Sequence, residues 1–258
     1  MKNIIHFAHG NGFPALSYRQ LLQQLEIEYP CFYIERIGHD NRFPVTDNWT
    51  ALVQELINNV ETHVDESVIA VGHSMGGILS LLASIQRPDL FKQVIMIDAP
   101  LLGWMKSAMV YMAKKTGWID RLTPALRAKT RRIHWQNKNQ IRNYLQKREL
   151  FQTFSAECLE DYIENGFQKT SKGYSLFFDR EIEYFIYRTM PHTLYKFCGP
   201  LSVPTTLIYG NQSNVIRGCD LRYMRKYYQI ATIELPGTHM LPMEDPSGLA
   251  ESILQILR

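Results

Sequence analysis

Cysteine is scarce: Cys31, Cys158, Cys198 and Cys219 are scattered through 258 residues, with neither the density of a disulfide-stapled domain nor the close spacing of a zinc site. Free thiols in a reducing cytoplasm are the simpler expectation. No uninterrupted apolar segment approaches the roughly 18 residues of a membrane-spanning helix, so a soluble protein is expected. Met1-Lys2-Asn3 runs straight into Ile4 to Ala8 without a basic region, a longer apolar stretch and a small-residue cleavage site, so secretion is not signalled. Internal repeats and low-complexity tracts are missing as well. The formal charge of +3 is too small to suggest nucleic acid as a partner.

What is present is enough apolar residue, 45% of the chain, to bury a full core. Short β-branched or aromatic runs recur, each followed by helical spacing, which is the pattern of a parallel sheet flanked by helices. The spacing predicts strands at Asn3 to Ala8, Cys31 to Glu35, Ser67 to Gly72, Gln93 to Asp98, Pro204 to Tyr209 and Ala231 to Leu235. It predicts helices through Leu16 to Leu25, through Trp49 to Val60, over Met75 to Arg87 before Pro88, and around Leu249, Ile253 and Ile256. The rhythm stops near Trp104 and resumes at Pro204. An interval of that length is too long for a loop, so residues 104–199 are expected to form a small helical lid inserted into a core of residues 1–103 and 200–258. Leu159, Tyr162 and Ile163, followed by Gly166, mark one of its helices. Residues 104–150 hold twelve Lys or Arg against Asp120 and Glu149. Such a face can steer an anionic substrate, dock on an acidic lipid surface, or simply be solvated.

The strongest chemical signal is Gly72-His73-Ser74-Met75-Gly76-Gly77, placed between an apolar strand and a helix. It fits G-x-S-x-G in the strand-turn-helix context where a serine sits on a sharp, strained turn, with glycines letting strand and helix approach. Serine needs a base, and His239 is the candidate among eight histidines. It lies in Pro236-Gly237-Thr238-His239, after the last predicted strand and last in the order serine, acid, histidine. A third part must hold the negative charge of a tetrahedral intermediate. His9-Gly10-Asn11-Gly12 follows the first strand, and the backbone amides of Asn11 and Met75 are the candidate donors.

These three segments, in this order and spacing, resemble the α/β-hydrolase superfamily over residues 1 to about 103 and about 200 to 258. The resemblance implies a doubly wound, mostly parallel sheet and a serine mechanism. It implies no substrate, because one scaffold hosts many chemistries. In most members the triad acid follows the strand corresponding to Pro204 to Tyr209. Here that turn reads Gly210-Asn211-Gln212-Ser213-Asn214 and has no carboxylate. A second position used in the superfamily, at the end of the strand after the nucleophile helix, holds Asp98. Asp98 is the preferred acid, with Asp220 and a weakened site using Ser213 or Asn214 as alternatives.

The expected activity is therefore hydrolysis of a small-molecule carboxylic ester or thioester, with Ser74, His239 and Asp98 as catalytic residues and no metal or cofactor. Trp104, Met105, Met109 and Met112 are candidates for an acyl pocket in the lid, although such stripes are often plain core. A carbon-carbon bond hydrolase, a membrane-acting lipase and a non-enzymatic ligand receptor on the same fold are the rival readings. Oligomeric state is not legible.

Overall fold

The computed structural model describes residues 3–258. Its main sheet has six strands: β1 (Ile5–Ala8), β2 (Cys31–Tyr33), β3 (Val68–His73), β4 (Phe91–Ile97), β8 (Thr205–Gly210) and β9 (Ala231–Leu235). They run in the order β2-β1-β3-β4-β8-β9, and every pairing is parallel. Alternation along the strands separates two apolar layers. Ala70, Val94, Met96 and Leu207 face one side, against helices α2 (Thr50–His63), α3 (Met75–Gln86) and α11 (Gly218–Tyr228). Phe7, Ile69, Val71, Ile95 and Ile208 face the other, against α1 (Arg19–Leu25) and α13 (Pro246–Leu257), with α12 (Leu241–Glu244) at its entrance. Both faces are covered, which is why β3 and the carboxyl half of β4 read as continuous apolar runs.

Between β4 and β8 the chain leaves the sheet. The excursion contains α4 (Trp104–Thr116), α5 (Ile119–Leu122), α6 (Ala125–Thr130), α7 (Lys138–Gln146), α8 (Glu149–Gln152), α9 (Ala156–Asn165) and α10 (Arg180–Arg188). It is not helical throughout, as the sequence had suggested. Three short strands, β5 (His134–Trp135), β6 (Phe167–Thr170) and β7 (Gly173–Leu176), form an antiparallel sheet in the order β5-β7-β6. The hairpin Phe167-Gln-Lys-Thr to Gly-Tyr-Ser-Leu is too short and polar to show a period of two. Trp135, Ile141, Leu145, Phe151, Tyr162 and Phe167 build a separate apolar cluster here. Further along, Phe178, Ile186 and Leu194 join the main core, so the excursion is sewn into the body at its distal end.

Candidate active site

The turn from β3 into α3 places Ser74 at φ 53 and ψ −114, a conformation rarely adopted by residues other than glycine. The strain is held from both sides. The Ser74 N–H donates to the Ile97 carbonyl at 2.9 Å, and the Ser74 carbonyl accepts from Ile78 N–H at 3.2 Å. Close packing makes this possible: a Cβ on Gly76 would lie 2.0 Å from the Ala8 carbonyl oxygen, so no side chain is tolerated there. Ser74 is partly exposed at the carboxyl edge of the sheet.

At the neighbouring strand end, Asp98 is fully buried and has φ 45, a left-handed conformation that Asp tolerates better than most residues. One carboxylate oxygen accepts the Gly210 N–H at 3.1 Å. The other accepts the Ser213 hydroxyl at 2.7 Å and lies 2.6 Å from His239 Nδ1. Since β4 and β8 are adjacent, an acid at the end of β4 reaches the histidine that the turn after β8 would otherwise serve. Asp220 lies elsewhere. It is buried at the start of α11, where it accepts from Arg217 N–H at 3.0 Å and from Lys106 Nζ at 2.6 and 2.8 Å. Ser213, the other alternative, bonds to Asp98.

The loop carrying His239 is fastened below by Glu244, which accepts the Thr238 N–H at 2.7 Å and also bonds the Thr238 hydroxyl. It is fastened above by His73, whose Nε2 meets the His239 carbonyl at 2.9 Å. Burial drives the His73 pKa down to about 3, so the ring is neutral with one proton. A carbonyl can only accept, so that proton is on Nε2, and Nδ1 accepts from Tyr18 O–H at 2.8 Å. Tyr18 Oη in turn accepts from Gly10 N–H at 3.1 Å. A continuous chain of hydrogen bonds thus ties the loop after β1, the residue preceding Ser74, and the loop of His239. Tyr18 was not singled out from sequence, where it looks like one more apolar contact before α1.

The loop after β1 turns between Gly10 and Phe13, closed by a Phe13 N–H to Gly10 carbonyl bond at 3.2 Å, with Gly12 at φ 82. His9 splints it: Nδ1–H donates to the Gly10 carbonyl and Nε2 accepts from Ile37 N–H, both at 2.8 Å. Among the described residues, the backbone N–H groups of Asn11 and Met75 have no protein acceptor. Met75 also opens α3, where the helix dipole favours negative charge. The excursion braces the same loop. Asn11 Nδ2 donates to the Glu183 carbonyl at 3.0 Å, and the Glu183 carboxylate, held above the usual carboxyl range by burial, is paired with Arg131 at 2.7 Å. Phe13 packs against Tyr162 and Phe151, with ring centroids 5.0 and 6.3 Å away.

Trp104, Met105, Met109 and Met112 stand 57–68% exposed. Helical periodicity explains this, because α4 turns Ser107, Val110 and Ala113 inward and leaves the methionines on the outer side. Two surface cavities, of about 270 and 200 Å³, lie away from Ser74 and His239, one beside Glu55 and one beside Phe197. Among the described residues no group of three His, Cys, Asp or Glu side chains is arranged to hold a metal ion.

Known proteins share this architecture. The family described as "Alpha/beta hydrolase family" matches residues 7–252. A monoglyceride lipase of Rattus norvegicus is 30% identical over 115 residues, covering 42% of this chain and 38% of the lipase. A probable esterase of Oryza sativa subsp. japonica is 23% identical over 107 residues, 38% of each chain. The chain thus matches well under half the length of these relatives. Among solved structures, the thioesterase domain from the curacin biosynthetic pathway superposes with a TM-score of 0.78 at 20% identity, covering 98% of this chain and 91% of that one. E-2-(acetamidomethylene)succinate hydrolase does so with 0.78 at 17%, covering 99% and 91%. Both likenesses concern the fold alone. With the family match running through nearly every element of the sheet and through all three site loops, this chain belongs to the alpha/beta hydrolase family.

Proposed function

We propose that the protein hydrolyses a carboxylic ester or thioester of a small molecule through an acyl-enzyme on Ser74. The observation that carries this reading is the Asp98–His239 hydrogen bond of 2.6 Å in a chain whose Ser74 has the strained elbow geometry. A buried carboxylate on Nδ1 fixes the imidazole tautomer with Nε2 free to accept, and stabilises the imidazolium once it forms.

In the proposed mechanism His239 Nε2 removes the Ser74 proton as Oγ attacks the carbonyl carbon. The N–H groups of Asn11 and Met75 take the oxyanion, and their lack of other acceptors supports that role. Collapse of the intermediate expels the alcohol or thiol, protonated by His239. Water, deprotonated by the same imidazole, then releases the carboxylic acid and restores Ser74. Residues 104–199 act as a lid that braces the oxyanion loop through Phe13 and Glu183. The relatives named as lipase and esterase, and the thioesterase of like fold, fit acyl transfer better than carbon-carbon bond cleavage.

The test is labelling by a fluorophosphonate probe together with turnover of nitrophenyl esters, acyl thioesters and a vinylogous diketone. Wild type should be labelled and should turn over an ester or thioester fastest, and Ser74→Ala should lose both. A folded protein that resists the probe, or prefers the diketone, overturns the reading.

A further inference from the structure

Helix α4 is apolar on two opposite sides. Its inner side, Ser107, Val110 and Ala113, is buried, whereas Met105, Met109 and Met112 form a ridge on the outer side at the spacing of one helix face. Beyond the αL cap residue Gly117, Trp118, Leu122 on α5 and Leu126 on α6 are exposed as well. Of fifteen large apolar side chains that stand exposed among the described residues, eight fall within residues 104–126. Surface apolar residues scattered singly need no explanation, but a concentration of this kind marks an interaction surface.

The charges around it identify the partner. Lys106 and Lys114 are neutralised by Asp220 and Asp47, so they do not count. Lys115, Arg121, Arg127 and Lys129 have no carboxylate partner among the described residues, and the one acid of this stretch, Asp120, pairs with Arg188. Two of these cations sit beside exposed rings: Arg121 lies 5.7 Å from the Trp118 ring and Lys115 5.7 Å from that of Tyr111. Cationic heads beside Trp and Tyr, with a methionine and leucine surface next to them, match the boundary between anionic head groups and acyl chains. A second copy of this chain is a poor occupant, because a two-fold contact would bring the same unpaired cations face to face. No helix among the described residues is long and apolar enough to cross a membrane, so the contact would lie on the bilayer.

We propose that α4 to α6 form a docking surface for an anionic phospholipid bilayer, entered by the methionine ridge and Trp118 and held by the unpaired cations. The binding itself is independent of the catalytic reading. Together with that reading it assigns the substrate class, because α4 follows directly on the loop from Asp98 and docking would present the catalytic edge to lipid-borne esters.

The test is sedimentation of the full chain with vesicles of phosphatidylcholine alone or mixed with phosphatidylglycerol. Each cation near an anionic surface is worth about fivefold in partition, so four should give a preference of roughly several hundredfold at low salt, falling steeply as salt is raised. Trp118→Ser with Leu122→Ser should weaken binding to both vesicles, and Arg121→Glu with Arg127→Glu should abolish the anionic preference. Circular dichroism and turnover of a short soluble ester should be unchanged in these variants. Ser74→Ala should bind like wild type, which separates failure of the docking surface from failure of the catalytic assignment. The proposal is overturned if wild type stays in the supernatant with every vesicle, or if the variants bind as well as wild type. It is equally overturned if ultracentrifugation without lipid shows a dimer that Trp118→Ser and Leu122→Ser disperse.

Discussion

Replacing Asp98 by Asn tests the proposed chemistry at its most buried point. The carboxylate has three neighbours, with Gly210 N–H donating to one oxygen and the Ser213 hydroxyl and His239 Nδ1 meeting the other. In Asp98→Asn the amide oxygen must stay at Gly210, since two N–H donors cannot face each other. The amide NH₂ then occupies the other position, where the Ser213 hydroxyl can rotate to accept but His239 Nδ1 can accept only by giving up its proton. The imidazole is forced into the tautomer with hydrogen on Nε2, which cannot take a proton from Ser74. Turnover should fall by about 10⁴, equivalent to about 5 kcal/mol of transition-state stabilisation. The assay is steady-state hydrolysis of the best nitrophenyl ester, with thermal unfolding alongside to verify that the variant is folded. Asp220→Asn is the matched control, because that carboxylate serves Lys106 and the start of α11, and it should lose less than tenfold. A folded Asp98→Asn within tenfold of wild type, or an equal loss in Asp220→Asn, refutes the assignment.

Tyr18→Phe leaves the Gly10 N–H and His73 Nδ1 without their shared partner, at a cost of about 1–3 kcal/mol in denaturant unfolding; stability unchanged within error would remove Tyr18 from the hydrogen-bond chain. Gly76→Ala drives a methyl into the Ala8 carbonyl and should cost about 3 kcal/mol or more, so wild-type solubility and melting would contradict the packing described. Burial raises the Glu55 pKa from 4.5 to about 7, only partly offset by the Gly38 N–H that donates to it, so its protonated form is favoured in the folded state. Below pH 4.5 the group is protonated in both states and exacts no penalty. As pH rises from 4.5 to 7 the unfolded chain ionises first, and stability falls by up to about 3 kcal/mol before levelling. The buried His6, His9 and His73, all with lowered pKa, slope the opposite way in acid, so the contribution is read as a difference. Glu55→Gln should gain on wild type between pH 5 and pH 8 in urea unfolding, and a constant difference would refute the linkage.

The sheet was legible because each strand is a short apolar run followed by a helical period, and both patterns record burial. Ser74 was legible for a related reason, since tight packing at the β3–α3 turn demands small residues that leave a fixed spacing in the sequence. The Asp98–His239 pairing was harder, because nothing local distinguishes a buried Asp98 at a strand end from a bracing one; only the lateral order β4–β8 gives it a route to His239. The excursion between β4 and β8 was read least well. Its hairpin is polar on exposed positions, and Met105, Met109 and Met112 look the same whether a helix turns them inward or outward. Tyr18 escaped notice because its role depends on partners 8 and 55 residues away.

Phe13 has a consequence for engineering. It belongs to the turn of Asn11, yet its ring is sunk among Phe151, Phe154 and Tyr162 of the excursion. A chimera that takes residues 104–199 from another hydrolase would leave this ring without its socket and let the turn beside it drift. Grafting should succeed only when the first-strand loop and its socket travel as one cassette.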